Sequence, residues 1–149
     1  MSATPADAQV IMHLYELRRE PEMRKARNWF GGEFHPQSVD DIMKVVTAPG
    51  SDANRYFRMV TSYWEMAAAF VHNGAVNEQL FLDTQNEMFF IFAKLQPYLE
   101  GVREKMQSPD AMKKVETLIN RSEESKKKLQ AFLGRVAQLR ARMAAAQKQ

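Results

Sequence analysis

Three carboxylates and a histidine are the first candidates for chemistry in this sequence. Asp83 and Glu87 are four residues apart, so they share a face if residues 78–95 form one helix. Glu65 and His72 lie on the preceding predicted helix, from which they could approach the acidic pair. Such a cluster could hold Mn²⁺ or Mg²⁺, but the Glu-x-x-His pattern of carboxylate di-iron bundles is absent. We therefore interpret these groups as solvated surface charge and predict no metal and no other cofactor.

Arg58 and Glu65 share one side of a strongly apolar window, Tyr56–Val71 (YFRMVTSYWEMAAAFV). The polar residues of this predicted helix repeat at helical spacing and form a single line, which consists of Asn54, Arg58, Ser62, Glu65 and His72. A polar strip on an apolar helix usually faces water. The alternative is that it lines a pocket near Arg58, Glu65 and Asp83, in which case the protein would be a small-molecule binder or an enzyme.

Motifs that would indicate an enzyme are otherwise missing. Neither "TAPGSDAN" nor "WFGGEF" has the glycines or the context of a phosphate-binding loop, and no serine lies in a nucleophile-elbow pattern. The chain has no cysteine, which excludes disulfides, thiolate metal sites and a thiol nucleophile. We predict that the protein is not an enzyme.

Positive charge is concentrated near the end of the chain. Residues 1–100 contain 9 Lys and Arg against 13 Asp and Glu, a net charge of −4, whereas residues 101–149 contain 12 against 5, a net charge of +7. We name the following cations the basic patch: Lys126, Lys127, Lys128, Arg135, Arg140 and Arg142. The patch predicts contact with nucleic acid, an anionic surface or an acidic partner; the alternative is the solvated outer face of a coiled coil.

Apolar residues with coiled-coil spacing run through the same segment. We name this set the C-terminal seam, and its members are Leu129, Phe132, Val136, Leu139 and Met143. The heptad pattern extends back to Val115 and Leu118, with a polar gap at Ser122 and Ser125 where the helix could bend or break. The seam must fold back on the body, pair with a second copy or receive a partner helix.

The elements that position these residues all read as helices. Thr4 and Pro5 begin the first helix and Pro21 the second, which either ends at Gly31-Gly32 or continues to Phe34. A short third helix with a cap at Ser38 precedes the long fourth, which a cap at Ser51 or Asp52 begins.

Two long helices are expected at the centre of the molecule. They span about 53–73 and 77–96, and the turn between them carries Gly74 at a left-handed position. Because the turn is short, we expect an antiparallel hairpin. Pro97 then starts a short sixth helix, and Ser108 caps the helix that follows.

The start of the chain lacks the features of a signal peptide, and no run of about 18 apolar residues predicts a membrane span. We expect a soluble protein of the cytoplasm.

Two segments carry a resemblance to a known family. They are "LYELRREPEMRKARNWF" and "NRYFRMVTSYWEMAAAFVHNGAVNEQLFLDTQNEMFFIFAKLQPYL". The chain resembles an uncharacterised bacterial family, typified by acidobacterial sequences, of small all-helical proteins that form a domain of unknown function. The resemblance spans roughly residues 10–100 and implies an all-helical fold, but it transfers no catalytic or binding residue. The basic segment beyond Ser125 lies outside it.

The sequence as a whole predicts an all-α single domain of five or six helices. Residues 1–107 form the bundle core, and residues 108–149 form a long, basic, partly coiled-coil-like helix that packs on the core or projects. The preferred function is a non-enzymatic interaction protein that uses the C-terminal seam to form a homodimer or to bind another protein. Nucleic-acid or anionic-surface binding through the basic patch and a pocket near Arg58 are the alternatives.

Overall fold

All regular structure in the computed structural model, which describes residues 1–148, is helical. The helices are α1 (Pro5–Arg18), α2 (Pro21–Gly32), α3 (Val39–Val46), α4 (Asp52–His72), α5 (Glu78–Thr84), α6 (Glu87–Leu95), α7 (Leu99–Met106), α8 (Lys113–Ile119) and α9 (Glu123–Gln147), with a 3₁₀ turn at Gln96–Tyr98 between α6 and α7. The predicted all-α fold is confirmed. Within residues 1–148, no helix is both long enough and apolar enough to cross a membrane.

Local sequence signals set most of the first four helix starts. The Thr4 hydroxyl accepts a hydrogen bond from the Asp7 backbone N–H, and the Asp7 carboxylate accepts one from the Thr4 N–H at 2.7 Å, which forms a capping box. Ser38 and Ser51 cap α3 and α4 in the predicted way. Of the two predicted ends of α2, the structure has the one at the glycine pair: α2 ends at Gly32 and does not continue to Phe34.

The core is built around α4, which packs mainly against α2 and α8. Val60, Trp64 and Ala67 have no exposed surface, in agreement with the apolar periodicity of this helix. On the α2 side, Phe30 stacks with Phe57 at a centroid distance of 6.1 Å. Gly74 follows the end of α4 with a φ of +74°, the left-handed position that favours glycine.

The predicted helix over residues 78–95 is two helices. Gln85 adopts an extended conformation between α5 and α6, and its buried side chain accepts a hydrogen bond from Arg18. The break places Glu87 in the first turn of α6, where the helix dipole favours a carboxylate. The predicted hairpin of two long helices is therefore wrong, because α6 packs mainly on α9 while α4 packs on α2 and α8.

The predicted long helix over residues 108–149 is also divided. Ser108 does not cap a helix, α8 begins only at Lys113, and Ser122 caps a separate α9. Val115, Leu118 and Ile119 of α8 are completely buried, so residues on both sides of position 107 share one core. The division allows α8 to pack against α4 and α9 to pack against α6.

Candidate functional site

An apolar cleft of about 800 Å³ opens along one side of α4. Its opposite walls come from α3, from α7 and from the segment 107–112 that joins α7 to α8. The floor consists of Ile42, Leu95, Leu99, Val102 and Met112, all of which are buried. A concave, mainly apolar site of this size is typical of a small-molecule binding pocket.

Three methionines give the cleft an adaptable lining. Met59 extends from α4, Met106 from the end of α7 and Met112 from the connecting segment. Met106 is 42% exposed to solvent. Unbranched thioether side chains adjust easily to ligands of different shape. A lining with three of them can therefore fit apolar ligands that a rigid lining would not.

The part of the predicted polar strip nearer the start of α4, which consists of Asn54, Arg58 and Ser62, borders the cleft. Asn54 is buried, and its side-chain amide donates to the carbonyl oxygens of Val45 at 3.0 Å and Val46 at 3.3 Å, so it closes the C-terminal end of α3. The Ser62 hydroxyl bonds to the carbonyl of Arg58 on its own helix. These polar groups are therefore already satisfied within the chain.

Glu65 joins α4 to the first turn of α8. Its carboxylate accepts hydrogen bonds from the backbone N–H groups of Val115 at 2.8 Å and Lys114 at 3.3 Å. The free amides at the start of a helix favour a negative charge. Seven residues further along α4, the His72 ring donates a hydrogen bond from Nε2 to the Lys114 carbonyl at 2.9 Å. Glu65 and His72, the part of the strip nearer the end of α4, thus contact α8 and remain partly exposed.

The connecting segment forms its wall with an unusual backbone. Gln107 and Met112, which flank the segment, have φ values of +53° and +57°. Left-handed backbone costs about 1 kcal/mol or more for residues other than glycine and asparagine, and strained conformations of this kind concentrate at functional sites. Of these two residues, Met112 lines the cleft and Gln107 does not.

Two of the three residues predicted to surround a pocket line the cleft. Arg58 and Glu65 are in the lining, whereas Asp83 is not: it accepts a hydrogen bond from Gln79 on its own short helix at 2.8 Å. The placement of Asp83 near this site is wrong because it assumed one helix over residues 78–95, whereas the break at Gln85 puts Asp83 on the separate helix α5. No group of three potential metal ligands exists within residues 1–148.

The C-terminal seam lies largely against α6. Leu129 and Val136 are buried, with exposures of 6% and 2%. The Phe132 ring stacks on Phe89 of α6 at a centroid distance of 6.1 Å. Leu139 and Met143, nearer the end of α9, are only half-buried. Of the three arrangements that the sequence left open, the structure contains the one in which the seam folds back on the body.

The basic patch is divided between packing and exposure. Four cations contact aromatic rings or a nearby carboxylate. These are Lys126, 3.0 Å from Glu123; Lys128, over the Phe89 ring; Arg135, over the Phe132 ring; and Arg140, over the Tyr98 ring. Lys127 and Arg142 are exposed and form no ion pair within residues 1–148. The patch therefore keeps fewer free cations than its composition suggests.

Sequence reasoning missed a buried ionic cluster on the other side of the molecule. Glu87 accepts hydrogen bonds from Arg27 at 2.7 Å and from Arg18 at 3.2 Å, and all three side chains are mostly buried. The hydrogen bond to Glu87 is the main cause of a raised pKa of Arg27. No sequence signal links these residues, since they are about 60 positions apart.

Lys94 is a second group that the sequence did not reveal. It is 1% exposed, and its ammonium donates to the carbonyl oxygens of Phe30 at 2.6 Å and Phe34 at 2.7 Å. The Phe30 carbonyl belongs to the last turn of α2, where a positive charge is favoured, and the Phe34 carbonyl lies in the segment that follows. Burial, assisted by the charge of Arg140, lowers the pKa of Lys94 to about 8. It does not line the cleft and we assign it a structural role.

Comparison with known proteins gives one match. The family model DUF4760, a domain of unknown function, matches residues 3–122. Curated proteins yield no match, and neither do solved structures. The family match includes all the walls of the cleft and ends immediately before α9.

Proposed function

The chain belongs to the DUF4760 family, a domain of unknown function, and we propose that it is a binding module for a small apolar molecule held in the cleft beside α4. The observation that carries this proposal is the cleft itself: about 800 Å³, with an apolar floor and a methionine-rich wall. Burial of a ligand there would be driven by removal of apolar surface from water.

Three polar side chains of the lining are engaged within the chain, which favours binding over catalysis. Among the polar residues of the lining, Asn54 closes α3, Ser62 bonds within α4 and Glu65 bonds to α8. An acid or base must reach the substrate with a free lone pair or proton, and these groups are already engaged. That the protein is not an enzyme stays a prediction.

The proposal is tested with a neutral fluorescent probe, N-phenyl-1-naphthylamine. We expect its emission to rise when it is added to the full chain, because the probe becomes more fluorescent in apolar surroundings. Ser62→Trp should fill the cleft from its exposed rim and weaken binding at least tenfold. The matched control is Thr117→Trp, at an exposed position of α8 outside the lining.

Two results would reject the proposal. One is the absence of saturable probe binding to the unmodified chain. The other is equal loss of binding in Ser62→Trp and Thr117→Trp, since the probe would then sit elsewhere or respond to destabilisation. Thermal unfolding of both variants by circular dichroism separates these cases, because neither exposed position should change the melting temperature by more than a few degrees.

Self-association through the C-terminal seam is a second candidate. It is supported by the half-exposed Leu139 and Met143, which continue the seam beyond the part that α6 covers. Nucleic-acid or anionic-surface binding through the basic patch has the exposed Lys127 and Arg142 in its favour. Both stay predictions, with less support than the cleft, because most of their residues already pack within the chain.

A further inference from the structure

The charged residues that line the cleft differ in whether they already have partners. Arg55 lies 3.0 Å from Asp52 and 3.8 Å from Glu22, and Glu65 is held by the first amides of α8. Within residues 1–148, the Arg58 guanidinium has no hydrogen bond and no ion pair, although its carbonyl bonds to Ser62. Arg58 is thus the unpaired cation of the lining.

We propose that the ligand of the cleft is an amphipathic monoanion, with an acidic head group bound by Arg58 and an apolar tail on the cleft floor. This inference rests on the proposed function and adds a ligand class to it. A guanidinium presents its N–H donors in a planar fork that matches a carboxylate in a two-point hydrogen bond. Arg58 is itself a lining residue of the cleft, and the aliphatic part of an arginine can cover apolar surface while its head stays in water.

The competing anion sites in the cleft are already filled. The start of α8 could bind an acidic group through its free amides, but the carboxylate of Glu65 occupies it. Arg55 is shared between two acidic side chains. A head group that entered the cleft would therefore find its strongest free donor at Arg58.

Of the two lining carboxylates, Asp110 is the one whose side chain has no hydrogen bond and no ion pair in the described part of the chain, and it is exposed. Its negative charge opposes a second anionic group in the ligand, which is why a monoanion is inferred. It also raises the opposite possibility, that the cleft selects a cationic head group through Asp110. The two possibilities predict opposite orders of affinity for ligands that share one tail.

Three ten-carbon ligands test the head group: decanoate, decan-1-ol and decylammonium, each measured by displacement of N-phenyl-1-naphthylamine from the full chain. We expect decanoate to bind up to about fivefold more tightly than decan-1-ol, the upper end of the range for an ion pair that is open to water. The advantage should shrink as salt rises from about 0.02 M to 1 M, because salt screens exposed charges. Decylammonium should bind most weakly.

Arg58→Met tests the assignment to one residue. We expect this change to bring decanoate to the affinity of decan-1-ol, while decan-1-ol itself binds as before. The control is Arg24→Met, which removes an exposed arginine of α2 that is not in the lining. It should leave the preference for decanoate intact.

The outcomes separate the ligand class from the existence of the site. If the probe binds but the three ligands displace it equally, or decylammonium is tightest, the acidic head group is wrong and the cleft remains a binding site. An unchanged preference in Arg58→Met also overturns the inference. If the probe does not bind at all, the proposed function itself fails.

Discussion

A single buried lysine shows how this chain satisfies a helix end without a conventional cap. Lys94 donates to the carbonyl oxygens of Phe30, in the last turn of α2, and of Phe34, which follows that helix, and its ammonium lies over the rings of Phe30 and Phe90. The carbonyls favour the ammonium form, whereas burial disfavours it, and burial dominates. The nearby His35 has a lowered pKa, caused first by burial and then by the charge of Lys94.

Lys94 predicts a specific dependence of stability on pH. Its pKa is about 8 in the folded chain against an ordinary 10.5, so between these values the unfolded chain holds more protons. The free energy of unfolding should therefore rise as pH increases from about 8 to 10.5 through this group. We measure the free energy of unfolding of both proteins in urea. The value for the unmodified chain minus the value for Lys94→Met should increase over that interval.

Lys94→Met isolates this contribution because all other lysines titrate in both proteins. Tyr63 acts at higher pH and with the opposite sign: burial raises its pKa to about 12, so its contribution falls above pH 10 in both chains. A difference that stayed flat, or that decreased from pH 8 to pH 10, would show that the carbonyls hold Lys94 fully charged.

At the scale of the element, the approach of α7 to α3 depends on a missing side chain. A Cβ atom at Gly101 would lie 2.6 Å from Cγ2 of Val39. Val39 is β-branched at the start of α3 and has little rotamer freedom with which to move away. This contact therefore fixes how closely α3 and α7, which both contribute to the cleft, approach each other.

Gly101→Ala should therefore destabilise the protein, even though alanine is the better helix former. The overpacking costs about 1–3 kcal/mol, against a gain of about 1 kcal/mol in helix propensity. The matched change is Gly134→Ala in α9, where an added Cβ meets nothing within 4 Å. It should stabilise by about 0.5–1 kcal/mol. Chemical denaturation of both variants measures the contrast, and a gain in both would mean that α3 and α7 can separate freely.

Sequence reasoning succeeded where a helix is specified locally and failed where distant residues decide. The capping residues Thr4, Ser38 and Ser51 and the periodicity of α4 act within one or two turns, so they were predictable. The break at Gln85 depends on Arg18, which lies 67 positions away. The left-handed Met112 likewise has no sequence signal, since methionine rarely adopts this conformation.

The candidate site was predicted in part for the same reason. Arg58 and Glu65 share a helix face, and that face does border the cleft. Asp83 was assigned to the same site on the assumption of an unbroken helix. The partners of Glu65 are backbone amides about 50 positions away, so its role in joining α4 to α8 could not be read from side-chain pattern.

At the scale of the whole molecule, α9 is an addition to the part that matches the family model. It begins after residue 122, and it buries Leu129 and Val136 against the body. A heptad seam alone does not distinguish packing within a chain from packing between chains. Here the face of α6 that carries Phe89 is covered by α9, so the seam has a partner within the chain.

Sedimentation equilibrium decides whether the seam also joins two chains. The packing of α9 on α6 predicts the mass of one chain, 17.2 kDa. Leu129→Glu should then lower the melting temperature without changing the mass, because it places a charge in a buried position. A dimer that Leu139→Glu converts to a monomer would instead establish self-association through the half-exposed end of the seam.

Methyl NMR of the methionines tests the central claim, that the cleft is a ligand site, most directly. Three of the ten methionines, Met59, Met106 and Met112, line the cleft, while Met12 and Met66 are exposed elsewhere. On titration with N-phenyl-1-naphthylamine, we expect saturable shifts of the three cleft methyl signals from the aromatic rings of the probe. Met12 and Met66 should not move. Shifts confined to Met12 and Met66, or no saturable shift at any methionine, would contradict the account.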